Sequence, residues 1–261
     1  YFIQHRFSLR PSWGEFGFWE GVISSGRGLN VAYLNPIIFL KSAEHSLHDR
    51  DNSLMGFDAT IRPINNIELR STVFLDDYNF SEIGKEFWSN KIAYNIAAIY
   101  ATPLNLDLGV EYARVEPYTF SHFDKQDSYT NDGVLIGSIL QPNSEQYSML
   151  FQYWWGNRYP LQVNLCYTRY GANVYDSTGK LIKNVGGDPN ITRRDPDPET
   201  GFPGDPYYGI KFLDGNLQET WSLKVNFTME IIRNLNISAI YQLKINNGYT
   251  DNFFRIYLFL N

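Results

Sequence analysis

The segment EYARVEPYTFSH, residues 111–122, places charged side chains among aromatic rings. Glu111, Arg114 and Glu116 supply carboxylate and guanidinium groups that hydrogen-bond hydroxyls, and Tyr118 supplies a ring that stacks on an apolar face of a sugar. This combination predicts a glycan-contacting surface. The same residues also fit an ion-pair ladder beside a belt of interfacial aromatic residues. Both interpretations stay open at the level of sequence.

A second chemically rich segment is the loop NVGGDPNITRRDPDPETGFPGDPYYG, residues 184–209. Its arginines and acidic residues lie close in sequence to two tyrosines, so the loop is suited either to bind an acidic glycan or to fold inward and narrow a pore. A proline-stiffened extracellular loop explains the same composition. The acidic spacing does not follow a calcium-loop pattern. The candidate residues of this loop are Arg193, Arg194, Asp195, Tyr207 and Tyr208.

Metal and catalytic chemistry find little support. His45 and His48 lie three positions apart in EHSLHD, but the spacing supplies no third metal ligand. A helix or loop that plugs the mouth of a barrel explains these polar residues more simply. The sequence has no nucleophile elbow, P-loop or dinucleotide fingerprint, so we predict a protein without catalysis, metal or cofactor. The single cysteine, Cys166, excludes an intramolecular disulfide.

Composition narrows the partners further. Lys and Arg number 22 against 28 acidic residues, which gives a net charge of -6 and disfavours nucleic acid. Aromatic residues are abundant, at 19 Tyr, 18 Phe and 6 Trp. Apolar runs long enough for a transmembrane helix, about 18 residues, are missing from the sequence.

The elements that position these residues are strands, because the apolar pattern repeats every second residue. Each of four hairpins joins two such strands through a short turn. A further strand begins the chain at YFIQHRFSLR and another ends it at FFRIYLFLN. Counting all extended segments along the chain, we predict about eleven strands. The only helix candidate covers residues 35–49. The predicted hairpins cover residues 53–62 with 67–76, 91–101 with 106–115, 146–155 with 161–170, and 220–231 with 237–245.

The connections alternate between short turns and long loops, so the long loops lie at one end of the sheet. That asymmetry is typical of an outer-membrane barrel with short periplasmic turns and long extracellular loops. A soluble sandwich or propeller fits less well, because charged residues recur on one face of nearly every strand. We therefore predict an all-β, antiparallel transmembrane outer-membrane β-barrel forming one domain over residues 1–261. The predicted extracellular loops lie near 26–52, 77–90, 115–144 and 173–218.

Alternation also assigns faces. On the last strand Phe254, Ile256, Leu258 and Leu260 share the predicted lipid face, and Arg255 points into the lumen. Because bacterial barrels use even strand numbers, we expect further strands before Tyr1, so that the complete barrel has more than about eleven. The predicted lumen network comprises Asp58, Arg62, Glu68, Arg70, Asp76, Glu111, Glu230 and Arg255.

Four quoted stretches carry a family resemblance. They are VEYARVEPYTFSH, SYTNDGVLIGSILQPNSEQYSMLFQYW, RGLNVAYLNPIIF and EHSLHDRDNSLMGFD. Together they resemble the capsule-assembly outer-membrane proteins of the Wzi type found in Bacteroidetes, over roughly residues 15 to 170, with a weaker match in the last strands.

The resemblance implies a barrel of about 18 strands, of which about seven precede Tyr1. It also implies a role in holding capsular polysaccharide or exopolysaccharide at the cell surface without chemical turnover. The implied partners are outer-membrane lipid, surface polysaccharide and other outer-membrane proteins. A diffusion porin or substrate-specific channel is the alternative, and it differs by having an open polar bore.

Overall fold

The computed structural model describes residues 1–26, 28–48, 51–156, 159–193 and 208–260. Eleven long strands form one antiparallel sheet, and four short strands form two hairpins within the loops. The strands are β1 Phe2–Leu9, β2 Gly14–Ile23, β3 Asn52–Ile64, β4 Ile67–Asp77, β5 Lys91–Ala101, β6 Leu106–Val115, β7 Thr130–Asn131, β8 Val134–Leu135, β9 Ser144–Trp155, β10 Tyr159–Ala172, β11 Val174–Tyr175, β12 Leu181–Lys183, β13 Asn216–Ile232, β14 Leu235–Asn246 and β15 Tyr249–Leu260. The prediction of an all-β chain with eleven sheet strands is confirmed.

Strand order in the large sheet follows the chain, with β6 beside β9 and β10 beside β13. The two-residue turns are built at left-handed residues such as Asn66, with a φ of 68°, and Asn234, with a φ of 67°. Asparagine tolerates this conformation well, which suits it to tight hairpins. The long connections after β2, β4, β6 and β10 all leave from the same end of the sheet, here called the loop end.

The two faces of the sheet differ in polarity. One face carries exposed apolar side chains, among them Phe57, Ile96, Val110 and Met149, and we call it the outer face because lipid is the solvent that accepts such a surface. The opposite, inner face is mainly polar. Phe254 and its alternating neighbours on β15 share the outer face, since Phe254 lies opposite Tyr241 in register with the other outer-face positions.

An aromatic row crosses the outer face near the loop end. The ring centroids of Tyr112 and Tyr147 lie 4.9 Å apart, those of Tyr147 and Tyr167 lie 6.5 Å apart, and those of Tyr167 and Trp221 lie 4.5 Å apart. The four residues follow one another in register across β6, β9, β10 and β13. Such a row is the structural form of an interfacial aromatic girdle.

The loop 116–143, here called the plug loop, folds onto the inner face. Its Phe120 and Leu140 pack against Trp19, Leu54 and Phe74 of the wall in one buried cluster. The plug loop is therefore anchored by a hydrophobic core at the loop end of the sheet.

The loop after β2 covers the outer face instead. Its helix, α1 Leu40–Ser46, packs Leu40 and Ala43 with Tyr33 against Val22. The helix thus lies within the predicted range 35–49, but it does not plug the mouth, because its apolar side matches the outer face of β2. Among the described residues no helix is long and apolar enough to cross a membrane. The remaining helical turns are the 3-10 segments Val31–Leu34, Phe80–Glu82 and Lys125–Asp127.

Candidate functional site

A cavity of about 420 Å³ opens where the loop after β4 and the segment before β13 meet the end of β6. We call it the rim pocket. Its lining combines aromatic rings with charged and amide groups, a composition typical of ligand sites with a few fixed polar groups. Its lining includes Tyr78, Glu86, Phe87, Trp88, Asn90, Arg114, Glu116, Lys211 and Phe212.

Arg114 is the best-fixed charge of the rim pocket. The alternation of β6 places it on the outer face beside Tyr94, in the last residues of the strand. Its Nε donates to Glu116 Oε1 at 2.6 Å, and its guanidinium lies 3.6 Å from the centre of the Phe212 ring. An ion pair and a ring contact together restrict the guanidinium to one position. The unused donor groups of Arg114 are therefore presented in a defined direction.

The two loops that frame the pocket brace each other. Tyr208 Oη donates to Glu82 Oε2 at 3.2 Å, and its ring centroid lies 5.5 Å from that of Phe87. The backbone N–H of Ile210 also donates to the carbonyl oxygen of Glu86 at 3.2 Å. These contacts join segments more than a hundred residues apart, so the pocket exists only in the folded chain.

Trp88 forms the inner wall of the rim pocket. Its ring meets the edge of Tyr118 at 6.2 Å, and it lies 5.3 Å from Lys91 Nζ and 5.0 Å from the Arg193 guanidinium. Two cations beside one indole hold the ring in place through cation–π attraction. The indole N–H of Trp88 finds no hydrogen-bond acceptor in the part of the chain that the structure describes.

This arrangement suits a polyhydroxylated ligand. Ring faces bury the apolar face of a pyranose, while Arg114, Glu116 and the carboxamide of Asn90, another lining residue, offer donors and acceptors to hydroxyl groups. It does not resemble a catalytic centre or a metal centre. Within the described ranges, no three His, Cys, Asp or Glu side chains come together in a metal-like group.

The structure separates the residues that the sequence had grouped. Arg114 and Glu116 line the rim pocket, but Glu111 lies on the inner face and lines a different cavity. Tyr118 is fully buried and its hydroxyl donates to the carbonyl oxygen of Asn184 at 3.3 Å. Its ring anchors the plug loop, so the expectation of an exposed stacking ring at this position is wrong.

The candidate residues of the longest loop also lie in different surroundings. Arg193 is buried behind Trp88, and Tyr208 is 51% exposed beside the rim pocket. Arg194, Asp195 and Tyr207 lie outside the described residues.

The predicted lumen network is two local clusters rather than one chain of charges. Arg62 and Arg70 both bind Glu68 at 2.5 Å. Asp58 binds Arg6, a residue whose alternation with Gln4 in β1 indicated an inner-face position and which the sequence analysis overlooked.

The other predicted lumen residues make different contacts. Asp76 accepts the backbone N–H of Phe120 at 2.8 Å and so holds the plug loop. Glu230 accepts the N–H of Asn234 at 2.9 Å in a hairpin turn. Arg255 lies 5.0 Å from the ring centre of Phe253 on its own strand.

Electrostatic contacts also tie the loops together beyond the rim. Lys183 Nζ lies 2.7 Å from Asp214 Oδ2, and this hydrogen bond lowers the pKa of Asp214. Asn143 adds neutral links, because its side chain donates to the carbonyl oxygens of Gly171 and Asp214 and accepts from Leu213. The β11–β12 hairpin is therefore fixed to the segment that enters β13.

Comparison with known proteins identifies relatives at the level of family and fold. The family model of the capsule assembly protein Wzi matches residues 1–245. No curated protein matches the sequence.

Two solved structures share the fold. The sheet is similar to Wzi of Escherichia coli, described as an outer-membrane, carbohydrate-binding β-barrel involved in group 1 capsule assembly, with 11% identity, a TM-score of 0.55, and coverage of 97% of this chain and 49% of that one. It is also similar to OccK7 (OpdD) of Pseudomonas aeruginosa, with 12% identity, a TM-score of 0.50, and coverage of 99% and 54%. The chain thus spans about half the length of the solved chains it matches. These matches confirm the predicted outer-membrane β-barrel fold and outer-membrane location.

Proposed function

The chain belongs to the Wzi family of capsule assembly proteins, and on that premise we propose that it binds capsular or exported polysaccharide at the rim pocket without chemical turnover. The observation that carries the proposal is the way Arg114 is held. Its Nε donates to Glu116 Oε1 at 2.6 Å, and its guanidinium lies 3.6 Å from the centre of the Phe212 ring. A glycan chain meets both a stacking surface and fixed hydrogen-bonding groups there.

The position of the pocket supports this role. It lies at the loop end of the sheet, above the aromatic row of the outer face, and so on the extracellular side of a barrel oriented by its long loops. A surface polysaccharide reaches this side without crossing the membrane. The bracing of Tyr208 against Phe87 keeps the pocket open before a ligand arrives, which lowers the entropic cost of binding.

The test is binding of purified capsular polysaccharide from the source strain to the full-length protein in detergent, measured by calorimetry. We expect Phe212→Ala to weaken binding about tenfold or more, because a central ring is removed. The matched control is Tyr175→Ala, which removes a 45% exposed ring from β11, away from the pocket. Equal affinity of both variants and the unaltered protein rules out the rim pocket as the binding site.

Conductance in a planar bilayer separates this role from that of a porin. We expect the full-length protein to show little steady conductance, because the plug loop packs against the inner face through Phe120 and Leu140. A large conductance that polysaccharide does not change supports a diffusion channel and overturns the proposal.

A further inference from the structure

A second cavity, of about 370 Å³, lies between the plug loop and the inner face of the sheet. We call it the inner cavity. One side is aromatic and is formed by Trp19, Phe74, Phe120 and Tyr129, whose ring centroids lie 5.1 Å to 5.7 Å from their neighbours. Its volume falls within the range of small-ligand sites.

The opposite side of the inner cavity is polar. Asn95 uses its side-chain oxygen to accept the backbone N–H of Thr72 at 2.9 Å, which leaves the amide NH₂ to donate. Gln4 adds a further carboxamide, whereas that of Gln146 already donates to Ser148 Oγ at 3.0 Å and accepts from Thr168 Oγ1 at 3.1 Å. Hydroxyl groups of a ligand find both donors and acceptors along this wall.

Glu111 supplies a carboxylate to the inner cavity. Elsewhere on the inner face Asp58 and Glu15 bind Arg6, and Glu68 binds two arginines. In the described part of the chain, Glu111 makes neither an ion pair nor a side-chain hydrogen bond.

The arginine that borders the inner cavity does not compensate Glu111. Arg114 also borders the cavity, but its guanidinium is held by Glu116 and by the ring of Phe212. A half-buried carboxylate that shares a cavity with aromatic rings is stabilised when a cation enters, because the charge gains a partner.

We propose that the inner cavity binds an amino sugar with a free ammonium group. The ammonium pairs with Glu111, the aromatic side buries the apolar face of the ring, and Asn95 and Gln4 bind its hydroxyls. A free amino sugar and an amino-sugar residue within a chain present the same chemistry. This site is separate from the rim pocket and does not depend on the function assigned there.

The test compares glucosamine, N-acetylglucosamine and glucose as ligands of the full-length protein, by calorimetry or saturation-transfer NMR. We expect glucosamine to bind at least about tenfold more tightly than the two uncharged sugars, and Glu111→Gln to abolish that preference. A glucosamine trimer, compared with the monomer, distinguishes a chain-bound residue from a free sugar as the source. Tighter binding of either form supports the proposal.

Two controls keep the outcome interpretable. Phe87→Ala alters the rim pocket but keeps Phe212, which holds the Arg114 guanidinium, so it leaves glucosamine binding unchanged if the inner cavity is the site. Ala113→Leu adds volume inside the inner cavity and keeps the Glu111 carboxylate, so we expect it to reduce glucosamine binding. This second variant tests the site if Glu111→Gln folds poorly. Equal affinity for all three sugars, or a glucosamine preference that survives Glu111→Gln, overturns the proposal. If a rim-pocket variant loses polysaccharide binding but keeps glucosamine binding, the two sites are independent.

Discussion

The plug loop and the rim pocket lie at the same end of the sheet and are both rich in aromatic residues, yet their rings make different contacts. In the plug loop Phe120 packs on Phe74 and Tyr129, and each ring is surrounded by other apolar groups. At the rim, Phe212 lies against the Arg114 guanidinium and remains partly exposed. The plug-loop rings therefore stabilise the fold in addition to lining the inner cavity, whereas the Phe212 ring lies beside a fixed charge.

Substitution of one ring in the buried cluster and of one exposed ring in the loop after β4 gives the largest expected contrast. Phe74 contacts Trp19, Phe120 and Tyr129, so Phe74→Ala removes the centre of the buried cluster and lowers the free energy of unfolding by about 3–5 kcal/mol. Phe80→Ala, in a ring that is 77% exposed, changes it by less than about 0.5 kcal/mol. Denaturant titration of the full-length protein in detergent measures both. Similar losses of unfolding free energy in Phe74→Ala and Phe80→Ala contradict the view that ring packing at the plug loop stabilises the fold.

Two hydrogen bonds between the wall and the plug loop, here called the clamp, give the next largest effect. Asp76 is 6% exposed and accepts the N–H of Phe120 at 2.8 Å, while Lys91 donates to the carbonyl oxygen of Ser121 at 2.8 Å. Asp76→Ala leaves a buried N–H without an acceptor, so the local opening free energy of the plug loop falls by about 1–3 kcal/mol. Hydrogen exchange over residues 116–143 measures this change.

The control for that clamp is Asp107→Ala. Asp107 lies on the inner face at the opposite end of β6 and makes no contact with the plug loop. If hydrogen exchange over residues 116–143 accelerates equally in Asp107→Ala and Asp76→Ala, the cause is a general loosening of the barrel and not the loss of the clamp.

Local alternation explains how much of the fold was predictable from the sequence. Glu111 and Arg114 differ in parity on one strand, so the sequence alone places them on opposite faces. The contacts that build the site have no such periodic signal. Tyr118 meets Gly186, and Asn143 meets Asp214, across about seventy residues of chain. Packing between loops decides these pairs, and it also buries Tyr118, which the sequence pattern left exposed.

The plug loop is also expected to respond to acid. Burial and the nearby charge of Lys91 lower the pKa of His122 from 6.5 to about 4. Between these values an opened loop binds a proton that the packed loop does not, so the stability of the packed loop falls as the pH falls through this window and is constant above it. Hydrogen exchange of residues 116–143, corrected for intrinsic rates, is expected to accelerate from pH 7 to pH 5. His122→Gln removes this change, and an unchanged pH response in that variant excludes His122 as its cause.

The smallest expected effect on the free energy of unfolding comes from exposed ion pairs, compared with a buried one. Glu68 binds Arg62 and Arg70, whose side chains are more than half exposed, so Glu68→Gln changes the free energy of unfolding by about 0–1 kcal/mol and less at high salt. Glu145, whose side chain is 3% exposed, accepts from Arg169 Nε at 2.7 Å and from Tyr112 Oη at 2.8 Å. Glu145→Gln therefore costs more than Glu68→Gln in the same titration, because water cannot replace the lost partner. A larger loss in Glu68→Gln contradicts the view that burial, rather than the number of charges, decides which contacts hold this wall together.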